Sequence, residues 1–199
     1  MVKSKLAAAA TVIITLAGGT YVARAEFYNP NAYYNYSGYP YARYQRSYTP
    51  GRSPIARAVT RAPAGYGPNT IVISTSQRRL YYINRRGQAI SYGIGVGRRG
   101  FAWSGVTRVS AKKAWPGWTP PSQMRKRQPG LPAYMPGGIN NPLGARALYL
   151  GSTLYRIHGS NEPETIGRAV SSGCFRMTNE DVIDLYSRVS VGTKVIVLR

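Results

Sequence analysis

One heptapeptide near the C-terminus carries the chemistry of this sequence: Ser171-Ser172-Gly173-Cys174-Phe175-Arg176-Met177. Its Cys174 is the only cysteine among the 199 residues, and His158, sixteen residues upstream, is the only histidine. A thiol and an imidazole are the two groups that a cysteine nucleophile and its general base require. The heptapeptide therefore predicts a Cys–His site for acyl transfer. The alternative interpretation is a buried core cysteine and an unrelated structural histidine.

The residues around this pair suit that chemistry. Gly173 permits a sharp turn before the nucleophile and leaves backbone N–H groups able to face a developing oxyanion. Arg176 and the start of a predicted helix would favour the thiolate. The main-chain carbonyl of Gly159 could orient the neighbouring imidazole in place of the usual carboxylate.

The first 25 residues have the pattern of a secretory signal. Lys3 and Lys5 precede an apolar run from Leu6 to Leu16, and Ala23-Arg24-Ala25 fits a cleavage site before Glu26. We expect export to the periplasm or cell envelope, with an uncleaved membrane anchor as the alternative. A lone cysteine in an oxidising compartment forms no internal disulfide, and reactivity would explain its presence.

The composition is strongly basic. There are 27 Lys and Arg against 6 Asp and Glu, giving a formal net charge of +21. Such a field attracts polyanions, of which an anionic cell wall or outer-membrane surface suits an exported chain. Nucleic acid binding is disfavoured by export and by the lack of a basic recognition helix. The scattered acids, one Cys and one His show no metal-ligand spacing, and no cofactor is expected.

Residues 26–68 form a low-complexity tract rich in Tyr, Asn, Pro, Ser and Arg. Without a sustained apolar period it predicts a disordered linker, acting either as a solvated spacer or as a tether for an anionic or carbohydrate surface. From residue 69 onward, short β-branched and aromatic runs predict a mainly β domain with two short helices. The predicted strands cover residues 70–74, 80–83, 89–94, 101–109, 147–150, 153–157 and 194–198.

Three further segments of this domain carry predictions. Gly95–Gly100 matches a GxGxxG pattern, but a strand-like run follows it where nucleotide binding requires a helix, so we assign a bulge or turn. Residues 115–144 are rich in Pro and Gly and predict a long loop that walls or covers a cleft. A short helix is expected near Pro163, and a second helix after a capping box that begins at Thr178.

The two catalytic segments together resemble a known signature. Residues 155–159 (Tyr-Arg-Ile-His-Gly) and 171–181 (Ser-Ser-Gly-Cys-Phe-Arg-Met-Thr-Asn-Glu-Asp) are similar to the L,D-transpeptidase signature of the YkuD-like (ErfK/YbiS/YcfS/YnhG) family. The stretch from Asn140 to Tyr149 supports the resemblance, which covers about residues 69–199. It implies a β-sandwich-like catalytic domain that acts on peptidoglycan stem peptides. Carbapenems are implied as covalent inhibitors.

The resemblance also implies a reaction and a set of roles. Cys174 would attack a tetrapeptide donor, release D-Ala and form a thioester, which an amine of a neighbouring stem would convert into a 3→3 cross-link. His158 would act as base and then acid, oriented by Gly159. The oxyanion hole would use Gly173, Cys174 and Ser172, which stands where many members have a second histidine. The residues expected to contact substrate are Arg176, Ser171, Tyr155, Trp118 and Met135.

Several functional alternatives share these residues. The thioester could instead pass to a protein lysine, which attaches that protein to the wall, or to water, which trims D-Ala. A non-catalytic basic protein that binds the cell wall is the alternative from another class. The sequence does not choose among these acceptors. The loop at 115–144 is expected to decide, because exclusion of water favours an amine acceptor.

Overall fold

The computed structural model describes residues 12–16, 19–23, 52–84 and 87–199. Strands β1 (Val12–Leu16) and β2 (Gly19–Ala23) form an antiparallel pair. The rest of the predicted signal sequence and the Tyr-rich tract up to residue 51 lie outside the described residues. Signal cleavage and the linker assignment for that part of the chain therefore stay predictions.

The remaining described residues build a β-rich domain with two helices. Helix α1 (Ser122–Arg127) lies inside the long loop, and helix α2 (Asn179–Arg188) follows the cysteine turn. Neither helix is long and apolar enough to span a bilayer. The strands are β3 (Ala58–Arg61), β4 (Thr70–Ser74), β5 (Arg79–Ile83), β6 (Gln88–Gly93), β7 (Val96–Gly97), β8 (Gly105–Ala114), β9 (Arg146–Leu150), β10 (Arg156–His158), β11 (Ala169–Ser171), β12 (Phe175–Arg176) and β13 (Lys194–Leu198).

Nine of these strands form one sheet in the order β12-β10-β9-β8-β13-β4-β5-β6-β3. The long strand β8 joins its two halves, because its first residues pair with β13 and its last residues pair with β9. The register shifts between Val109 and Ala111, where an irregularity of this kind bends a strand. Strands β7 and β11 form a separate parallel pair.

A single main core lies between the two halves of the sheet. It includes Ile71 and Leu80 from one half, Leu148 and Ile157 from the other, and Leu185 from helix α2, all fully buried. Two β layers and a helix that share one core agree with the expected β-sandwich-like fold. The predicted apolar stripe of α2 supplies the helical side of this core.

The cap of helix α2 follows the sequence prediction. The Thr178 side chain accepts a hydrogen bond from the backbone N–H of Asp181 at 3.2 Å. Thr178 is 1% exposed, so this bond satisfies a donor that water does not reach. The cap therefore fixes where the helix begins, five residues after Cys174.

Most of the predicted strands are confirmed to within a few residues. The antiparallel run of β4, β5 and β6 is present, and strand β8 rather than a helix follows the Gly95–Gly100 pattern. The prediction of a strand over 153–157 was too long, because Thr153 donates its N–H to the Leu150 carbonyl in a turn and β10 starts only at Arg156. The expected helix at Pro163 is one 3₁₀ turn, Pro163–Thr165, and α1 was not predicted.

The assignment of residues 52–68 to a structureless linker needs correction. Strand β3 pairs antiparallel with β6 and extends the sheet upstream of residue 69. Ile55 packs against Gly93 and Gly167, where an added Cβ would lie 2.5 Å and 3.1 Å from its atoms. Arg57 forms an ion pair of 3.2 Å with Asp184. The low apolar content of this segment gave no strand pattern in the sequence. Its ordering comes instead from contacts with residues that are distant in sequence.

These contacts predict a measurable stability contribution from Ile55. Replacing Ile55→Ala removes a half-buried apolar side chain, so we expect a loss of about 1 kcal/mol in the free energy of unfolding. The measurement is urea denaturation followed by tryptophan fluorescence. The matched control is Val59→Ala on β3, where the side chain is 70% exposed and the change should stay within about 0.5 kcal/mol. Equal effects of the two substitutions would contradict the packing role of Ile55.

Candidate active site

The parallel pairing of β10 with β12 places Cys174 and His158 on one face of the sheet. In this register Ile157 lies opposite Phe175, and both side chains point into the core, with exposures of 0% and 1%. Because side chains alternate along a strand, the residues that flank them point to the opposite face. Cys174 precedes Phe175, so its Cα lies about 8 Å from that of His158 across the ladder.

The imidazole of His158 is buried and oriented by its neighbour. Its Nδ1 lies 2.5 Å from the Gly159 carbonyl, which can only accept, so Nδ1 carries the proton. Nε2 is then the unprotonated, basic nitrogen. Burial, reinforced by the positive charge of Arg176, lowers the pKa of His158 to about 3, and the carbonyls of Gly159 and Pro142 only partly oppose this.

The thiol of Cys174 is partly accessible and is also neutral at rest. Desolvation raises its pKa above the ordinary value of 9.0, while the backbone N–H, side chain and charge of Arg156 act in the opposite direction. Arg176 adds a weaker favourable charge. Sequence reasoning assigned Arg156 no role, although it lies within the quoted signature.

The thiol of Cys174 bonds to the main chain in this structure. Its Sγ donates to the Leu154 carbonyl at 3.7 Å, and among the described residues no hydrogen bond joins Cys174 to His158. The resting site is thus a neutral thiol beside a neutral base, not a thiolate–imidazolium pair.

Asn179 supports the backbone behind the imidazole. Its Oδ1 accepts the backbone N–H of Ala145 at 2.8 Å and lies only 2.3 Å from where a Cβ on Gly159 would be. A side chain at position 159 would therefore displace this buried amide. Sequence reasoning placed Asn179 in the signature and at the start of α2 but gave it no role, and nothing in local sequence connects it to the histidine strand.

The cysteine turn is closed by the hydroxyl of Ser171. This hydroxyl donates to the Cys174 carbonyl at 2.6 Å and accepts the Gly173 N–H at 3.1 Å. Two predictions change as a result. The Gly173 N–H is already engaged and is not free for an oxyanion. Ser171 is 4% exposed and its hydroxyl bonds inside the turn, which disfavours the predicted contact with substrate. Ser172 is half-buried beside them.

Trp103 contacts the same turn and was missed by sequence reasoning. Its indole N–H donates to the Gly173 carbonyl at 3.1 Å. Its ring stacks on Tyr155 at a centroid distance of 4.6 Å and an interplanar angle of 13°, so one face of Tyr155 is occupied by Trp103. A tryptophan in a strand-like run gives no local signal for a contact 70 residues away.

Arg176 forms an ion pair with Glu162. The sequence had predicted that Arg176 supports the thiolate or a substrate carboxylate. Its guanidinium lies 2.8 Å from the Glu162 carboxylate and 3.5 Å from the Thr165 hydroxyl. Glu162 therefore neutralises part of the charge that Arg176 presents to the site. The charge still acts on both His158 and Cys174, in the directions given above.

Trp118 and Met135, both predicted to contact substrate, are brought to each other. Their backbones exchange hydrogen bonds of 2.8 Å and 2.7 Å, which closes the loop between them. The buried amide of Asn141 donates to the carbonyls of Met135 and Pro136 and anchors the loop base. Beyond it, the Pro142 carbonyl contacts the imidazole of His158, so the end of this loop reaches the site.

In the described part of the chain no group of three His, Cys, Asp or Glu side chains could hold a metal ion.

With this geometry defined, the family of the chain can be stated. The family model of the YkuD L,D-transpeptidase catalytic domain matches residues 68–197. The chain belongs to this family, and the resemblance inferred from the sequence is confirmed. The matched range contains both Cys174 and His158.

Individual relatives agree with this assignment. The probable L,D-transpeptidase YbiS of Escherichia coli K12 is 43% identical over 134 residues, which are 63% of this chain and 43% of YbiS. The chain thus spans less than half the length of that relative. A solved Brucella melitensis chain, described as a probable carnitine operon oxidoreductase, is 44% identical, with a TM-score of 0.50 over 73% of this chain and 94% of that one.

A further solved structure supports the fold. The catalytic domain of the Enterococcus faecium L,D-transpeptidase, solved as acylated by ertapenem, has a TM-score of 0.51 at 20% identity. The similarity covers 67% of this chain and all of that domain. At this identity the similarity concerns the fold alone.

The neutral resting pair gives a pH prediction. The rate of Cys174 alkylation by iodoacetamide should rise with pH toward a midpoint above 9.0, with no step near 6.5, because His158 titrates far lower. Arg156→Met should raise the thiol pKa and slow alkylation about tenfold at pH 7.

The matched control for this measurement is Arg61→Met on β3, whose alkylation rate should equal that of the wild type. A midpoint near 6.5 in the wild-type profile would contradict the neutral pair. An unchanged rate for Arg156→Met would remove Arg156 from the thiol environment.

Proposed function

We propose that this chain is an L,D-transpeptidase that forms 3→3 peptidoglycan cross-links through a thioester on Cys174. The observation that carries the proposal is the shared face of Cys174 and His158, with Nδ1 of the imidazole bonded to Gly159 and Nε2 left basic. A thiol and a correctly tautomeric base on one rigid parallel ladder are what cysteine acyl transfer needs. Membership of the YkuD family supports peptidoglycan stem peptides as the proposed substrate class.

The first half-reaction uses His158 as base and then as acid. As Sγ attacks the carbonyl carbon between the L-centre of diaminopimelate and the terminal D-Ala, Nε2 takes the thiol proton. The tetrahedral intermediate carries its negative charge on the former carbonyl oxygen. Its collapse breaks the C–N bond, the imidazolium returns the proton to the leaving amine, and D-Ala departs from a thioester.

The second half-reaction reverses the proton path. A side-chain amine of a neighbouring stem attacks the thioester carbon, and His158 Nε2 accepts one proton from it. The C–S bond then breaks, the sulfur leaves as a thiolate, and the imidazolium gives its proton to that thiolate. The new amide is the cross-link, and the site returns to its neutral resting state.

The low pKa of His158 in the empty site fits this sequence of steps. At any pH above about 3 the imidazole of the empty site is neutral, so its Nε2 is unoccupied when the thiol proton has to be transferred. The imidazolium exists only while an oxyanion is present, and the opposite charge stabilises it then. The proposed oxyanion donors are the N–H groups of Cys174 and Ser172, because the Gly173 N–H is bonded to Ser171.

The setting of the reaction belongs to the same proposal. A signal sequence at residues 1–25 would place the domain in the periplasm, and a net charge of +21 favours contact with an anionic wall or outer-membrane surface. Carbapenems are proposed as covalent inhibitors, since a strained lactam carbonyl takes the same attack from Cys174. Ertapenem acylates the related E. faecium domain.

Product analysis tests the proposal. Incubation of the protein with a disaccharide tetrapeptide should give free D-Ala and a 3→3-linked dimer by liquid chromatography and mass spectrometry. Cys174→Ala should abolish both products. D-Ala release without dimer would favour the carboxypeptidase alternative, and transfer to an added lysine peptide would favour protein attachment. No turnover by folded wild-type protein would favour the wall-binding scaffold.

The loop closed by Trp118 and Met135 is proposed to exclude water from the thioester. Because these two backbones already pair, an Asn-Gly hairpin turn can replace residues 119–134 between them. We expect the ratio of dimer to trimmed tripeptide to fall several-fold, through faster hydrolysis.

The control keeps the loop length but removes its charge, as the triple variant R125Q/K126Q/R127Q. This control should preserve the product ratio. An unchanged ratio after loop replacement would show that the loop does not select the acceptor.

A further inference from the structure

The polar groups of the Gly173–Cys174 segment are almost all engaged. Ser171 binds the Gly173 N–H and the Cys174 carbonyl, and Trp103 binds the Gly173 carbonyl. The fourth group, the backbone N–H of Cys174, makes no hydrogen bond to another described residue. Among these four groups it is therefore the one that remains available as a donor to a bound substrate.

The direction of this N–H is tied to the Gly173 carbonyl. Both belong to one peptide unit, which is planar and trans, so the C=O and the N–H point in opposite directions. Whatever holds the carbonyl fixes the N–H as well. In this structure the group that holds the carbonyl is the indole N–H of Trp103, at 3.1 Å.

The peptide unit needs such a restraint because a glycine precedes it. Gly173 has φ +107°, a region that residues with side chains rarely adopt, and glycine can also adopt the rotated forms of this peptide. The bonds from Ser171 hold the outer groups of the segment but not the Gly173 carbonyl. A flip of this one peptide would turn the Cys174 N–H away from the site.

The indole is itself held in place. It is half-buried and stacks on Tyr155, and it lies 5.7 Å from the buried ring of Phe175 in a tilted arrangement. Tyr155 immediately precedes β10, and Phe175 begins β12 directly after Cys174. The donor that restrains the peptide is thus carried by the framework that carries the nucleophile.

We propose that Trp103 is a positioning residue for the oxyanion hole, holding the Gly173–Cys174 peptide so that the Cys174 N–H faces the reacting carbonyl. This inference rests on the proposed acyl transfer, but it concerns a residue that neither touches the substrate nor takes a proton. The proposed role predicts different effects on two reactions of the Cys174 sulfur, acylation and alkylation. Acylation develops an oxyanion and needs the N–H, whereas alkylation by iodoacetamide displaces iodide and develops no oxyanion.

The test compares these two rates in Trp103→Phe, which keeps an aromatic ring against Tyr155 and removes the N–H donor. Acylation by a carbapenem, followed by stopped-flow absorbance, should slow about tenfold, as expected for losing one hydrogen bond of ordinary strength. Alkylation of Cys174 by iodoacetamide should change less than twofold. The ratio of the two rates is the readout, because a general loosening of the turn would change both.

A second variant controls for the smaller ring volume of phenylalanine relative to tryptophan. Replacing Trp103 with β-(3-benzothienyl)alanine keeps the bicyclic shape and lacks the N–H, and it should reproduce the selective loss of acylation. Equal acylation rates for this variant and the wild type would overturn the inference, as would a parallel fall of both rates in the two variants. If the wild type itself is not acylated while its thiol is alkylated, the proposed function fails instead.

Discussion

The parallel pairing of two very short strands, β10 and β12, is the constraint on which the site depends. Burial of Ile157 and Phe175 on the core side fixes the register, and a slip of one residue would move Cys174 and His158 to the wrong face. The cap at Thr178 and the bonds of Ser171 then hold the ends of the β12 segment. Apolar packing thus determines which polar groups meet.

Burial keeps the Cys174 thiol and the His158 imidazole neutral, and two arginines lie close enough to act on them. Desolvation alone would make the thiol of Cys174 unreactive, and Arg156 acts against it. Arg176 favours the thiolate but opposes an imidazolium, and its pairing with Glu162 moderates both effects. The chain has 27 basic residues, and Glu162 is the acid that pairs with Arg176 beside the site.

The sequence predicted what depends on local pattern. The strand at Thr70–Ser74 and the cap at Thr178 follow from neighbouring residues, and both are present. The Cys–His signature is also a local pattern, and it identified the family. What it missed depends on contacts between distant segments. Trp103 bonds to Gly173, Asn179 packs against Gly159, and β3 joins the sheet. None of these contacts produces a periodic pattern in the sequence. The roles assigned to Ser171 and the Gly173 N–H changed for the same reason, since only the folded turn shows that they bond each other.

The central claim is that Cys174 forms an acyl-enzyme with the help of His158. Intact-protein mass spectrometry after rapid mixing with a disaccharide tetrapeptide tests it most directly. The account predicts an adduct equal to the donor minus D-Ala, mapping to Cys174, absent in Cys174→Ala and strongly reduced in His158→Ala. A folded wild-type protein that consumes the donor without any adduct on Cys174, or forms it equally well without His158, would contradict the account.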